Sequence, residues 1–320
     1  MSSKIVFVAP FADSTSAAQE MAPAGYELVI ASANSPEYWA AVPDAEYLVG
    51  FVAGLIREEL YAKAPKLKLI QLLSAGYDEA DIAAARRANI PISNNGGANS
   101  VAVSEHAIML MLAVQRQLIW QHKSVSAGQW RGNQTPRVFE TRDKTIGIIG
   151  LGSIGKKTAR LAAAFGVKVI YYDTNRLNEA EEDALGVRFR LRDELLRSAD
   201  VISLHVPLND STRHMIGREE LAMMKSSAVL VNTSRGPVID EVALHEALAA
   251  RKILGAGLDV FDQEPPQADN PLLSLDNVVL TAHLAGPTFE SHVARVRNGF
   301  DNVQRVARGE SPLWVIPELD

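Results

Sequence analysis

Residues 145–173 read TIGIIGLGSIGKKTARLAAAFGVKVIYYD, and this stretch decides the fold of the chain. An apolar run that predicts a buried strand leads directly into three glycines, Gly150, Gly152 and Gly155. A helical stretch and a second apolar run follow, and the second run ends on Asp173. A strand, a glycine turn, a helix and a second strand ending on an acid together predict a dinucleotide-binding unit.

Each residue of the glycine turn has a physical reason to be there. Gly150 permits a tight turn, Gly152 lets a pyrophosphate approach the backbone, and Gly155 lets the helix pack closely on the strand. The helix N-terminus at Ser153 and Ile154 offers N–H groups and partial positive charge to the phosphates. The turn therefore predicts the phosphate end of a dinucleotide site.

Asp173 predicts NAD rather than NADP as the cofactor. Its carboxylate would accept hydrogen bonds from the ribose hydroxyls and repel a 2′-phosphate. Arg176 is the opposing feature, because an arginine there could help to hold a 2′-phosphate. A nucleotide triphosphatase loop is a further alternative, but it needs Ser or Thr where this chain has Lys157. A glycine turn that binds nothing is the last alternative, and the placement of Asp173 argues against it.

The composition limits the class of protein. The chain has 320 residues, 47% of them hydrophobic and 22% charged, which favours about two soluble globular domains. A net charge of −6 without a basic block argues against nucleic-acid binding. The absence of cysteine and of a His-x-x-x-His pattern with a carboxylate predicts no metal site. The chain shows no signal-peptide core and no apolar run of membrane-spanning length, so we expect a cytoplasmic protein without a membrane partner.

Apolar runs alternate with helical stretches along the whole chain, which predicts two mostly parallel sheets. The predicted strands lie at 4–9, 27–31, 46–50, 67–73, 90–93, 146–149, 167–172, 201–206, 228–233, 255–260 and 278–281. We predict two doubly wound α/β domains, in which a Rossmann NAD-binding domain (99–287) is inserted into a flavodoxin-like substrate domain (1–98 plus 288–320). A final helix over 287–308 would return the chain to the first domain.

The stretch at 99–125 is apolar around much of its circumference. This pattern predicts one long helix buried between domains or subunits. The segment after it, 127–143, is polar and irregular and carries Trp130, Pro136 and Phe139. Exposed aromatic residues there fit either a dimer contact or local packing.

Polar residues follow several strands of the predicted second sheet, and parallel strands place these ends on one edge beside the glycine turn. Arg235 would bind the carboxylate of a 2-keto acid and polarise its carbonyl. His283 would donate the proton as hydride arrives. Glu264 would orient His283 and favour its protonated form. The other histidines, including His106 and His205, are expected to serve in packing or support.

In the predicted first sheet, the strand at 67–73 ends in small residues at Ser74, Ala75 and Gly76. Backbone N–H groups in such a turn can hold a carboxylate, although an ordinary turn explains the same residues. A phosphorylated substrate would need further cations in this domain. The available side chains are Arg57, Lys63, Lys66 and Lys68, of which Arg57 is the best placed.

The chain resembles the D-isomer-specific 2-hydroxyacid dehydrogenases, which include D-3-phosphoglycerate dehydrogenase and glyoxylate/hydroxypyruvate reductase. The resemblance covers nearly the whole chain. It rests on the segments at 73–78, 103–106, 150–155, 206–208, 231–236, 257–261, 264–265 and 283–286. As a set, these segments are highly specific.

This resemblance implies that Arg235, Glu264 and His283 form the catalytic triad of an NAD-dependent D-2-hydroxyacid dehydrogenase. The cofactor contacts that it implies are Gly150, Gly152, Ser153, Ile154, Gly155, Asp173, Val206, Pro207, Thr212, Thr233, Ser234, Asp259 and Gly286, with Thr233 and Asp259 at the nicotinamide end. The substrate contacts that it implies are Ser74, Ala75, Gly76, Arg235 and His283. The family also implies a homodimer that acts on a small 2-hydroxy or 2-keto acid.

Three positions bear on how far the resemblance extends. Ala282 stands where the family usually has proline, so we expect a looser turn before His283. Tyr77 replaces a smaller apolar residue, which would alter the substrate pocket. Glu264 stands where formate dehydrogenases carry glutamine, which argues against formate. An NADH-sensing interaction protein, like the C-terminal-binding corepressors that share this fold and keep the triad, is the alternative function.

Overall fold

The computed structural model describes residues 3–319, and the chain divides into two compact α/β units. The first unit comprises the residues up to Asn99 together with those from Pro287 onward. The second unit comprises Ser100–Gly286. Each unit is built on its own parallel sheet.

The first unit contains a five-stranded sheet in the order β2-β1-β3-β4-β5, with every neighbouring pair parallel. Its elements up to Asn99 are β1 (Ser3–Val8), α1 (Ala12–Met21), β2 (Tyr26–Ile30), α2 (Pro36–Ala41), β3 (Ala45–Gly50), α3 (Glu58–Lys63), β4 (Leu69–Leu72), α4 (Ile82–Ala88) and β5 (Ile92–Ser93). This is the flavodoxin-like order, in which the direction of winding reverses between β1 and β3.

The second unit contains a seven-stranded parallel sheet in the order β12-β11-β10-β9-β6-β7-β8. Its elements are α5 (Ser100–Gln115), α6 (Leu118–Ser126), β6 (Thr145–Ile149), α7 (Ser153–Ala163), β7 (Lys168–Tyr172), α8 (Glu179–Leu185), β8 (Val187–Phe189), α9 (Arg192–Ser198), β9 (Val201–Leu204), α10 (Arg218–Met223), β10 (Val229–Asn232), α11 (Glu241–Ala249), β11 (Gly255–Leu258) and β12 (Val278–Leu280). The winding reverses between β6 and β9, which is the Rossmann arrangement with one added strand.

The last helix, α12 (Phe289–Ala307), belongs to the first unit. Val296 and Val303 are fully buried in a cluster with residues of β1, β3 and β4. Gly299 lies against the sheet, because a Cβ there would stand 3.3 Å from the side chains of Gln71 and Val49. The absence of a side chain at this position lets the helix approach the sheet closely.

The strands of the second sheet are apolar on both faces, as expected for a parallel sheet that is covered by helices on each side. Ile146 and Ile148 belong to one core cluster with residues of α5 and α7. Ile149 belongs to another cluster with residues of α9 and α11. Within residues 3–319, none of the helices is both long and apolar enough to cross a membrane.

The predicted strands all form, with ends that differ by one or two residues, but the predicted helix over 99–125 is wrong as one element. It is two helices, because Gln117 adopts a left-handed conformation (φ 52°) that interrupts the helical path. Helix α8 and strand β8 were not predicted from the sequence. Their local signals were the capping box of Asn178 and Glu181 and the left-handed Gly186 (φ 72°) that ends α8.

Candidate active site

The glycine turn follows β6 directly, and its three glycines meet different surroundings. Gly150 has φ 92°, and a Cβ there would stand 2.5 Å from the carbonyl oxygen of His205. A Cβ at Gly155 would stand 2.1 Å from the carbonyl oxygen of Gly150. A Cβ at Gly152 would meet no atom of the described residues within 4 Å. Two glycines are thus needed for packing, whereas Gly152 keeps open the space that a pyrophosphate fits, at the start of α7 and beside Ser153 and Ile154.

Asp173 follows β7 and faces the glycine turn. Its Oδ2 accepts a hydrogen bond from the Leu151 N–H at 2.6 Å, and its Oδ1 accepts one from the Asn175 N–H at 2.8 Å. The carboxylate is partly exposed, so it keeps lone pairs for a ribose hydroxyl. Its negative charge therefore lies beside the turn, where it opposes a 2′-phosphate.

Arg176, the residue that argued for NADP, has partners of its own. Its guanidinium lies 4.8 Å from the centroid of the Phe189 ring, and its Nε lies 3.5 Å from Oε1 of the buried Glu182. These contacts direct the arginine to β8 and α8. They weaken the case for a 2′-phosphate site built on Arg176.

Val206 and Pro207 follow β9, and they are partly exposed and exposed respectively. Thr212 is buried beneath this segment, and its hydroxyl donates to the carbonyl oxygen of Pro207 at 2.6 Å. The same hydroxyl accepts from the Asn209 N–H at 2.9 Å. Thr212 therefore shapes the loop, and its hydroxyl is already used within the chain.

His205 also follows β9, and its Nδ1 is buried without a hydrogen-bond partner among residues 3–319. Its Nε2 lies 2.9 Å from Oγ of Ser203. Burial lowers the pKa of His205 to about 4, because the charged imidazole would lose its hydration. The side chain is therefore neutral at neutral pH.

The backbone around Arg235 is fixed from both sides by Asn232, the last residue of β10. Asn232 Oδ1 accepts from the N–H (3.0 Å) and the hydroxyl (2.7 Å) of Ser234, and its Nδ2 donates to the carbonyl oxygen of Arg235 at 2.9 Å. Between them, Thr233 has a buried hydroxyl without a partner in the described part of the chain. A buried hydroxyl of this kind, together with the space at Gly152, fits a bound dinucleotide.

His283 and Glu264 form a close pair. The distance between His283 Nδ1 and Glu264 Oε2 is 2.6 Å, and Glu264 Oε1 accepts from the Phe261 N–H at 3.0 Å. Burial raises the pKa of Glu264, but the hydrogen bonds from His283 and Phe261 and the charges of His283 and Arg235 outweigh burial and lower it. Glu264 is therefore ionised at neutral pH, and the charge of Arg235 reaches it.

The turn that carries His283 is held by Asp259, the residue after β11. The His283 N–H donates to the Asp259 carbonyl oxygen at 2.8 Å, and the N–H groups of Leu284 and Ala285 donate to its carboxylate at 3.0 and 2.9 Å. These bonds hold His283 in a left-handed conformation (φ 52°). The expected looser turn at Ala282 is therefore tied at three points.

Two further side chains extend this network. The Thr281 hydroxyl donates its only hydrogen to Asp259 Oδ1 at 2.6 Å. Toward His106, whose Nε2 lies 2.9 Å away, the same hydroxyl therefore acts as the acceptor. Burial lowers the pKa of His106, and the charge of Asp259 opposes that effect. Sequence reasoning assigned Asp259 to the nicotinamide end and missed this supporting role, because no local pattern links 106, 259 and 281. Gly286, a further predicted contact, is buried just beyond this turn.

The predicted substrate turn lies in the first unit, directly after β4. The Ser74 hydroxyl donates to the Gly76 carbonyl oxygen at 2.7 Å, and the Asn95 N–H donates to the Ser74 carbonyl oxygen at 3.1 Å. Within residues 3–319, the N–H groups of Ala75 and Gly76 donate to no other group. Two adjacent N–H groups in a fixed, partly exposed turn can bind a carboxylate.

Other first-unit residues singled out from the sequence are used elsewhere. The Tyr77 ring packs on the core, and its hydroxyl donates to Glu318 at 3.0 Å. Burial, followed by the hydrogen bond to Glu318, raises the pKa of the Tyr77 hydroxyl to about 12. Arg57 donates to the carbonyl oxygens of Ile56 (2.8 Å) and Glu79 (2.5 Å). The three lysines form ion pairs at the surface, Lys63 with Glu59, Lys66 with Asp44 and Lys68 with Glu46.

Residues 108–285 match the family model described as D-isomer specific 2-hydroxyacid dehydrogenase, NAD binding domain. A glyoxylate reductase of Korarchaeum cryptofilum is 39% identical over 274 residues, which cover 85% of this chain and 82% of that protein. A hydroxypyruvate reductase of Thermotoga maritima is 39% identical over 272 residues, which cover 84% of this chain and 86% of that protein.

Solved structures of proteins with similar names have the same fold as this chain. The chain superposes on a glyoxylate reductase from Paecilomyes thermophila with a TM-score of 0.85 at 31% identity, covering 100% of both chains. It superposes on the D-lactate dehydrogenase of Aquifex aeolicus, complexed with NAD and lactic acid, with a TM-score of 0.83 at 30% identity, covering 96% of both. The chain belongs to the D-isomer-specific 2-hydroxyacid dehydrogenase family.

It is an NAD-dependent oxidoreductase of this family, as the sequence predicted. The relatives named above carry the names of enzymes, so the alternative of an NADH-sensing interaction protein finds no support.

Proposed function

We propose that this enzyme reduces a small 2-keto acid to the D-2-hydroxy acid with NADH, and that glyoxylate and hydroxypyruvate are its simplest substrates. The observation that carries the proposal is the 2.6 Å pair of His283 and Glu264, on the same sheet edge as the glycine turn and Arg235. The names of the relatives support the substrate class.

In this proposal, each nitrogen of the His283 ring has a separate role. Glu264 is ionised and acts only as an acceptor, so the Nδ1 of His283 carries a proton and donates a hydrogen bond to Glu264. The Nε2 is then the nitrogen that gives a proton to the substrate carbonyl oxygen and takes it back in the reverse direction. Glu264 stabilises the imidazolium and fixes the plane of the ring.

The remaining groups bind and orient. Arg235 would bind the carboxylate of the keto acid. The N–H groups of Ala75 and Gly76 are proposed as substrate contacts of the first unit, because adjacent backbone N–H groups in a turn can bind a carboxylate. The dinucleotide would be held by the 150–155 turn and Asp173, with Thr233 near its nicotinamide end. When bound, NAD supplies the hydride acceptor and donor. We assign cofactor binding to the second unit.

We also infer that the enzyme is a cytoplasmic homodimer. Several large apolar side chains on α5, α6 and the loop that follows are exposed: Val101, Met109, Leu118, Val125 and Trp130. A second copy of the chain would cover this patch. Light scattering should give twice the chain mass for the wild type and a lower mass for Trp130→Glu; a wild-type monomer would contradict the assignment.

The test of the function is NADH oxidation with glyoxylate, hydroxypyruvate, pyruvate and longer keto acids, repeated with NADPH. The expected result is turnover of at least one acid with NADH in preference to NADPH. The His283→Ala variant is the matched control for contaminating activity. Tight NADH binding without turnover of any acid would contradict the proposal.

A further inference from the structure

Arg295 is a buried cation without a counter-ion. It lies on α12 in the first unit and is only 3% exposed. Its Nε is buried without a hydrogen-bond partner, and no carboxylate of residues 3–319 forms an ion pair with its guanidinium. The guanidinium lies over an aromatic ring instead, with its carbon 5.5 Å from the centroid of the Phe51 ring.

Such an arrangement is unfavourable for the protein alone. Arginine is almost never fully buried unless it is paired, because the charge loses its hydration. Burial lowers the pKa of Arg295 to about 10, so the side chain is still charged at neutral pH. Stacking on Phe51 offsets only part of the desolvation cost. An anion bound beside the guanidinium would offset the rest of this cost.

His292, the neighbouring basic side chain, is not a second positive charge at this place. His292 is buried one turn before Arg295, and its Nδ1 lies 2.7 Å from Oγ of Ser14. Burial, followed by the charge of Arg295, lowers the pKa of His292, while Asp13 opposes them. Arg295 therefore provides the positive charge at this place.

The position of Arg295 is one where ligands bind in sheets of this order. Phe51 directly follows β3, and Phe11 lies beyond the end of β1 with its ring 5.4 Å from that of Phe51 and 5.0 Å from that of His292. The winding of the first sheet reverses between β1 and β3. Open α/β sheets bind ligands outside the carboxyl ends of their strands at such a reversal.

The same edge carries the turn that we assign to the substrate carboxylate. The Leu73 N–H donates to the Gly50 carbonyl oxygen at 2.9 Å, so β3 and β4 are still adjacent where they end. Phe51 follows β3 and Ser74 follows β4. Because neighbouring strands lie about 5 Å apart, the two segments leave the sheet side by side. The substrate turn and Phe51, which lies beside Arg295, therefore leave neighbouring strands at one edge of the sheet.

We propose that Arg295 binds a second anionic group of the 2-keto acid, so that the preferred substrate is a keto acid with two anionic ends. The second group is a carboxylate, as in a 2-keto dicarboxylic acid, or a phosphate. This inference rests on the proposed function and narrows its substrate class.

The test compares kcat/KM, with NADH, for glyoxylate and pyruvate against oxaloacetate, 2-oxoglutarate and phosphohydroxypyruvate. The wild type should prefer a dianionic acid to glyoxylate, and its preference between the dicarboxylates and the phosphorylated acid identifies the second group. Arg295→Met should lower the ratio of dianion to glyoxylate activity by about tenfold or more, mostly through KM. Arg295→Lys should restore part of it.

Arg297→Met is the matched control, because Arg297 is an exposed arginine on the same helix and the change in net charge is the same. It should leave the ratio unchanged. Melting curves provide a second readout: malonate should raise the melting temperature of the wild type more than that of Arg295→Met. Equal ratios and equal shifts in the two Met variants would overturn the inference while the proposed function stands. Failure of the wild type to turn over any keto acid would instead overturn the proposed function and this inference with it.

Discussion

The carboxyl edges of the two sheets solve different problems. At the edge of the second unit, the polar groups hold one another in place: Asn232 fixes the backbone around Arg235, and Asp259 fixes the turn of His283. At the edge of the first unit, Arg295 is left without an ionic partner in the described residues. The first arrangement is finished before a ligand arrives, whereas the second needs the ligand to complete it. In our proposals, the edge of the second unit carries the reaction and the edge of the first unit selects the substrate.

Removing the imidazole at the edge of the second unit should have the largest effect on the reaction. We expect His283→Ala to lower turnover by roughly 100-fold or more, because His283 is the proton donor that we propose. NADH affinity, measured by fluorescence titration, should stay close to that of the wild type. Near-normal turnover would remove His283 from the mechanism.

The glycine turn allows a matched pair of variants with different outcomes. Gly152→Ala should weaken NADH binding by about 10- to 100-fold, through loss of a charge-assisted hydrogen bond to the pyrophosphate, without changing the melting temperature. Gly155→Ala should lower the free energy of unfolding by about 1–3 kcal/mol, because its Cβ would meet the Gly150 carbonyl oxygen. If both variants melt like the wild type, the assignment of Gly155 to packing is wrong.

His205 sharpens the contrast with Arg295, because both are basic side chains with a buried nitrogen that has no hydrogen-bond partner in the described residues. Histidine can give up its proton, and arginine near neutral pH cannot. The pKa of His205 falls to about 4 on folding from about 6.5 in the unfolded chain. The contribution of His205 to the free energy of unfolding is therefore fully present above about pH 6.5 and is lost as the pH falls toward 4.

Between about pH 7.5 and pH 5, the wild type should therefore lose about 2 kcal/mol more unfolding free energy than His205→Gln. Denaturant titrations of the two proteins at both pH values measure this difference, and the comparison cancels the other titrating groups. Parallel pH dependences would show that His205 is not buried as a neutral ring.

The smallest expected effect concerns the choice of cofactor. Asp173→Asn removes the charge that repels a 2′-phosphate but keeps an acceptor for the Leu151 N–H. We expect the ratio of NADPH to NADH activity to rise by about tenfold. The rise should stay partial, because Arg176 is held by Glu182 and Phe189. An unchanged ratio would show that another group selects the cofactor.

The sequence was sufficient where the signal is local. The glycine turn and Asp173 are spaced by one strand–helix–strand unit, and both sheets follow from the alternation of apolar runs. It was insufficient where distant segments meet. Arg295 contacts Phe51 only because the last helix returns to the first sheet, and Asp259 supports His283 through bonds that no spacing reveals. The break at Gln117 was hidden because the stretch is apolar on both sides of it.

The most direct test of the account follows the hydride and the product configuration together. The enzyme would be given NADH deuterated at the transferred position and a prochiral keto acid that it turns over, and the product would be examined by mass spectrometry and chiral chromatography. The account predicts one deuterium at C2 of the D-2-hydroxy acid, at a rate that collapses in His283→Ala. An L-configured product, or a product without deuterium, would contradict it.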